Sequence, residues 1–258
     1  MSVATYVYCL VQSEVEPSLA GAPPGLPGVS APRALELGGG LWAAVGEAPL
    51  PEYGSDAIEG RLSDLSWVSE RALAHEQVVE HCAAILGTVL PMKLFTLFTS
   101  DERAIADLRA RRLEIERIVG RIAGREEWGV RILFDEARAR RDAAEAAARE
   151  SRPGSGTSFL LRKRAEQEVL RTLSARVRAE VDRAFAELAG GAAEARRREA
   201  PPEAGARLLL DATFLVTKEE AGVFAGMVQR WAEELAGRAC EVALTGPWPP
   251  YNFLEEPA

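Results

Sequence analysis

The sequence predicts an α+β protein of two domains, residues 1–125 and 126–258, and the order of its apolar patterns is what predicts it. After Trp128 the pattern runs strand, helix, strand, strand, helix, strand once an alanine-rich insertion is set aside, which is the ferredoxin-like order. Before Trp128 it runs strand, hairpin, helix, strand, helix. With 258 residues, 47% of them hydrophobic and 27% charged, the chain has the size and make-up of a globular protein with two modest cores.

Thr5 to Val11 alternates Tyr6, Tyr8 and Leu10 against Val7, Cys9 and Val11. Both faces are apolar, as in a strand covered on both sides. Residues 17 to 32 are rich in proline and glycine and read as a loop. Ala34–Leu37 and Leu41–Val45 flank Gly38-Gly39-Gly40 and read as a hairpin. The triplet lacks the Gly-Lys-Ser/Thr ending of a phosphate loop, so it is taken as a turn. Asp64 can cap a helix to about Leu86, because Leu65, Val68, Ala72, His75, Val79, Cys82 and Leu86 recur at spacings of three and four. Pro91 opens a strand from Met92 to Phe98. Thr99 and Glu102 offer a capping box, with Ser100 as a competing cap, for a helix whose stripe is Ile105, Leu108, Ile115, Val119 and Ile122.

Trp128–Phe134 is a strand that opens the second domain. Ala137–Glu150 is alanine-rich and has little apolar area to bury, which predicts an exposed helix or a frayed arm. Ser151 to Gly156 breaks it. A helix from about Ser158 to Leu188 carries Leu170, Leu173, Val177, Val181, Ala184 and Leu188 on one stripe. Glu194–Glu199 is a weak strand and Arg207–Thr217 a strong one. Thr217 and Glu220 form a second capping box before a helix lined by Phe224, Met227, Trp231 and Leu235. Cys240–Leu244 is the last strand.

Several function classes recede on composition. A net charge of −8 disfavours a general nucleic-acid binder, and acidic residues surround the basic runs Arg109–Arg112, Arg162–Arg164 and Arg196–Arg198. Cys9, Cys82 and Cys240 are widely spaced and odd in number, which predicts reduced, buried thiols and a cytoplasmic setting. No apolar run approaches the roughly 20 residues that span a bilayer, and no secretory signal pattern is visible. His75 and His81 are six apart, nearly opposite on their helix, and cannot share a metal. His75 reads as a packed, hydrogen-bonded residue, and Asp211 as a carboxylate held by a neighbouring strand or a helix cap. No nucleophile elbow, metal cluster or dinucleotide fingerprint appears, so no catalytic, cofactor-binding or metal residue is assigned.

The tail is the most distinctive stretch. Pro247, Pro249 and Pro250 stiffen it and favour extended geometry, yet it carries Trp248, Tyr251 and Phe253. A stiff aromatic segment must dock, either as a clamp on its own domain or as a ridge facing a partner. These three aromatics are the candidate partner-binding residues, and the clamp is expected against the second domain.

Leu244-Thr-Gly-Pro-Trp-Pro-Pro-Tyr-Asn-Phe253 resembles the C-terminal signature of the gas vesicle protein F/L family. Tyr6-Val-Tyr8, Gly25-Leu-Pro-Gly28, Leu73-Ala-His-Glu76, Val89-Leu-Pro-Met-Lys-Leu-Phe95, Trp128-Gly-Val-Arg131 and Leu209-Leu-Asp-Ala212 agree with it in order along the chain. The resemblance implies a two-domain arrangement and a minor vesicle component or assembly factor, not an enzyme. It would engage the small hydrophobic shell protein GvpA in the cytoplasm and at the gas vesicle. Two other readings stay open: a scaffold for other vesicle accessory proteins, and a ligand binder or enzyme with an interdomain pocket. The resemblance does not separate F from L.

Overall fold

In the computed structural model, residues 2–150, 158–198 and 207–255 are described. The chain forms two compact units. One comprises residues 1–126 together with 248–258; the other is 127–247.

In the first unit, β1 (Val3–Gln12) is buried along almost its whole length and organises a sheet with β2 (Arg33–Gly38), β3 (Leu41–Pro49), β4 (Val89–Pro91) and β5 (Leu97–Phe98). The order is β2-β3-β1-β4, and β5 also pairs with β1. Two short helices follow β3, α1 (Leu50–Tyr53) and α2 (Ser55–Glu59), and then α3 (Leu65–Leu86). Asp64 caps α3, accepting from the Ser66 and Trp67 amides at 3.1 Å each, as its position in the sequence predicts.

The strict alternation expected along β1 does not hold. The pairing with β3 shifts register between Val7 and Cys9, so Tyr8 is bulged. A bulge moves two successive residues to one side. Tyr6, Tyr8, Cys9 and Val11 therefore pack in one cluster with Val78, Val79 and Cys82 of α3, while Val7 and Leu10 pack in another. That second cluster is closed by α4 (Asp101–Ala110) and α5 (Arg112–Ile122) through Leu108, Ile115, Val119 and Ile122.

Three further expectations are corrected here. One helix was expected where α4 and α5 stand; it breaks at Arg111, where neither glycine nor proline announces it. Arg109 and Arg112 flank that break, and both donate into the hairpin turn: Arg109 Nε to the Leu37 carbonyl at 2.7 Å, Arg112 to the Gly38 and Gly39 carbonyls at 2.7 and 2.8 Å. Gly38, Gly39 and Gly40 all have positive φ, and the turn offers carbonyls to cations rather than amides to an anion. Secondly, Ser100 rather than Thr99 caps α4, accepting from the Arg103 amide at 3.4 Å. Thirdly, of the strand expected from Met92 to Phe98 only β5, Leu97–Phe98, forms; β4 ends at Pro91, and residues 92–96 make an excursion between the two. The excursion leaves and rejoins the sheet through Met92 N–H to the Tyr8 carbonyl and Val7 N–H to the Thr96 carbonyl, both 2.9 Å.

The second unit is built on β6 (Arg125–Phe134), β7 (Glu194–Arg197), β8 (Arg207–Thr217) and β9 (Cys240–Trp248), in the order β7-β8-β6-β9. Between β6 and β7 lie α6 (Glu136–Glu150) and α7 (Ser158–Gly190), and α8 (Ala221–Ala236) joins β8 to β9. Val177, Val181, Ala184 and Leu188 of α7 and Phe224, Val228, Trp231 and Leu235 of α8 cover Val130, Ile132, Phe134, Leu210, Ala212, Phe214 and Val216 of the sheet. Thr217 and Glu220 hydrogen-bond to each other at 2.8 Å, and no side chain caps α8 in the expected reciprocal way. β9 is longer than the expected Cys240–Leu244 and includes Pro247, which an edge strand tolerates. The break at Ser151–Gly156, the end of the weak strand at Glu199, and the side chains of Leu170 and Arg162–Arg164 lie outside the described residues.

Candidate functional site

The aromatic tail and the Met92–Thr96 excursion meet in the first unit. The clamp expected against the second domain belongs instead to the unit formed by residues 1–126. Phe253 is fully buried, and Tyr251 and Leu254 pack against the two clusters that flank β1. A 3-10 turn, Tyr251–Phe253, closes through Tyr251 N–H to the Pro249 carbonyl at 2.8 Å and Phe253 N–H to the Pro250 carbonyl at 3.2 Å. The Arg121 guanidinium on α5 donates to the Phe253 carbonyl and, at 3.1 Å, to the Glu255 carbonyl. Lys93, on the excursion, pairs with Glu255 at 2.9 Å. That pair is exposed on both sides and adds little by itself.

The three aromatics therefore differ in what they can do. Phe253 is an anchor that no partner reaches. Tyr251 is half-buried. Trp248, 40% exposed, stands where the anchored segment begins and presents its ring to solvent.

Beneath the tail the excursion is held by a buried polar chain. Tyr6 Oη lies 2.7 Å from His75 Nδ1, His75 Nε2 lies 3.1 Å from the Met92 carbonyl, and the Phe95 amide donates to Tyr6 Oη at 3.3 Å. The carbonyl can only accept, so Nε2 carries the proton and Nδ1 accepts from the tyrosine. Both ring nitrogens are thereby committed to the fold. Burial lowers the His75 pKa to about 4, offset in part by the Met92 hydrogen bond, so the ring is neutral at ordinary pH. Burial pushes the Tyr6 hydroxyl well above its usual range and that of Tyr8 up to about 12.

Phe95 has φ +64°, uncommon for an aromatic residue, and stacks on Trp67 at 5.4 Å between ring centroids. Arg71 lies over the Trp67 ring at 4.2 Å and pairs with Glu52 and Glu70 at 2.8 and 2.9 Å. Arg71 and Trp67 are consecutive positions on the buried face of α3, and neither belongs to the stripe expected from the sequence. The signal was an arginine at helical spacing within an apolar stripe.

Asp211 is also a structural carboxylate. It is buried in β8, with Arg198 at 2.9 Å and Arg131 of β6 at 3.4 Å. The three cysteines are buried and unpaired in disulfides. Among the described residues no group of acidic, histidine and cysteine side chains is arranged to hold a metal, and no helix is long and apolar enough to cross a membrane.

Comparison with known proteins agrees with this geometry. A family model described as gas vesicle synthesis protein GvpL/GvpF matches residues 4–255. The chain is 29% identical to gas vesicle protein L of a Streptomyces species over 239 residues, covering 90% of this chain and 86% of that one. It is 26% identical to gas vesicle protein L2 of Halobacterium salinarum, covering 99% and 93% of the two chains. The crystal structure of GvpF from an Anabaena species superposes with a TM-score of 0.71 at 18% identity, over 100% of both chains. That of GvpF from Microcystis aeruginosa gives 0.66 at 14%, over 98% of this chain and 100% of that one. The structural likeness carries the fold, two sheets with their helices, and the family match carries the membership. From Ala4 to Glu255, the chain belongs to the GvpL/GvpF family of gas vesicle synthesis proteins.

Proposed function

We propose that the protein is a non-catalytic accessory factor of gas vesicle assembly that binds the hydrophobic shell protein GvpA and limits its aggregation. The family match across residues 4–255 carries this reading. A shell subunit with a water-repelling face aggregates unless that face is covered before incorporation. Trp248 is the aromatic best placed to contribute: it is exposed, and the segment after it is fixed by Phe253 and Arg121, so little order is lost on contact. Tyr251 adds a half-buried edge, and Phe253 acts by anchoring. The proposed setting is the cytoplasm and the vesicle surface.

The test is a pulldown of GvpA alone, against one containing the other accessory proteins, with wild type and Trp248→Ala. Retention of GvpA alone, weakened by Trp248→Ala with the fold intact, supports the reading. Retention only of the accessory set would turn the protein into a scaffold. Co-purification with isolated, washed vesicles would show whether it stays in the finished shell.

We read the second unit as ferredoxin-like. What supports this is its chain order of strand, helices, strand, strand, helix, strand together with the sheet order β7-β8-β6-β9.

A further inference from the structure

The second unit holds a cationic cleft that nothing in its assembly role calls for. It has a cavity volume of about 520 Å³, within the range of small-molecule sites, and its rim carries Arg140 of α6, Arg171 and Arg178 of α7, and Arg207 of β8. Among the described residues, Glu136 is the sole acidic one lining it. It contacts Arg140 and Arg207 loosely, at 3.6 and 4.0 Å. Among the described residues, Arg171 and Arg178 have no ion-pair partner. Among its described residues the cleft thus carries a surplus of three positive charges, four arginines against one glutamate, on a chain whose net charge is −8.

Local structure explains why the space exists. The α6 helix faces α7 with alanine, and Ala139 is its buried residue among those described, so its short side chains leave room beside the contact. On α7, Arg171, Ser174 and Arg178 follow one another at spacings of three and four, so they share one face beside the opening.

We propose that this cleft binds an oligophosphate, a chain of two or more linked phosphate groups, free or on a nucleotide. Guanidinium groups recognise phosphate and carboxylate alike, but here they come from three separate elements. A tetrahedral phosphate accepts hydrogen bonds from several directions, whereas a planar carboxylate is served by one fork. Arg171 and Arg178 are two helical turns apart, about 10 Å of rise, which is more than one phosphate group bridges. The Ser174 hydroxyl between them supplies a neutral donor to the middle of such a chain. The arginines are exposed, so a monoanion gains little there and a multivalent one is required. This site does not depend on GvpA binding.

The experiment is calorimetric titration of the full chain with sodium tripolyphosphate and, separately, with ATP in the absence of metal. Saturable one-to-one binding that weakens as sodium chloride rises is expected. The Arg171→Ala/Arg178→Ala pair should weaken it at least tenfold, and Arg183→Ala, exposed on α7 but outside the cleft, should leave it unchanged. Equal affinity for both probes identifies the phosphate chain as the ligand; tighter ATP binding adds a nucleoside contact. Circular dichroism checks each variant, and Arg171→Lys/Arg178→Lys, which keeps charge but loses the fork, should also bind more weakly if the alanine pair misfolds. Lack of saturable binding of either probe at millimolar concentration would overturn the proposal. So would binding indifferent to the arginine changes, or polyglutamate competing as well as tripolyphosphate at equal charge.

Discussion

His75 shows what a buried neutral ring does to stability. Its folded pKa of about 4 lies below the ordinary 6.5, so between those values the unfolded chain binds the proton more readily. The contribution is complete above pH 6.5, falls as pH drops toward 4, and amounts to about 3 kcal/mol over that window. Urea denaturation at pH 7, 5.5 and 4.5 should show this loss in the wild type, and a flatter profile in His75→Gln. Phe253 and Trp248 give a second contrast at the same scale. Phe253→Ala empties a fully buried site and should cost about 3–5 kcal/mol, whereas Trp248→Ala should change stability by about 0.5 kcal/mol or less. Denaturation midpoints check both. Equal losses at the two positions would contradict the division between anchor and exposed ring. The tail's proline and aromatic content announced docking, but proximity in sequence to β9 misdirected the choice of surface.

Among the elements, the Met92–Thr96 excursion and α6 are the informative cases. Tyr6→Phe removes the hydroxyl that joins His75 Nδ1 to the Phe95 amide, leaving two buried polar groups unpaired. It should destabilise the first unit by about 1–3 kcal/mol and speed hydrogen exchange at Phe95. Exchange unchanged at Phe95 would mean that the excursion is held by its rings alone. For α6, amides in residues 139–145 should exchange faster than those of α8, because α8 buries Phe224, Val228, Trp231 and Leu235 while residues 136–145 of α6 bury Ala139 alone. The extents of α3 and β8 were legible from the sequence, but the buried face of α3 was not fully so: Leu65, placed on the stripe, is 76% exposed, while Trp67, Arg71 and Val78 are buried. The excursion was not legible: Val89 to Phe98 is apolar enough for one strand, and nothing within it announces that Met92 and Phe95 bond to His75 and Tyr6 instead of a ladder. The bulge at Tyr8 was hidden for a similar reason, since a strand with two apolar faces shows no alternation to break.

On the scale of the molecule, the two units should respond separately to loss of the tail. Ending the chain after Pro247 removes Phe253, Leu254 and the carbonyls that Arg121 grips, all of which belong to the first unit. Differential scanning calorimetry should show the transition of that unit lowered and the transition of the second unit nearly unmoved. The cationic cleft was illegible for a reason of the same scale. Its arginines lie outside the three basic runs named above and stand at positions 140, 171, 178 and 207, so only the fold gathers them.

The first unit is interrupted in the chain by the whole of the second. Because synthesis runs from the amino terminus, the ribosome makes all of residues 127–247 before Phe253 exists. The earliest-made core is therefore the last to be sealed, while the later-made unit can close first. A nascent or prematurely terminated chain carries an unfinished first core with the pocket for Phe253 open. Docking of the tail therefore follows the making of the second unit: only a chain translated past Phe253 presents Trp248 on an anchored segment.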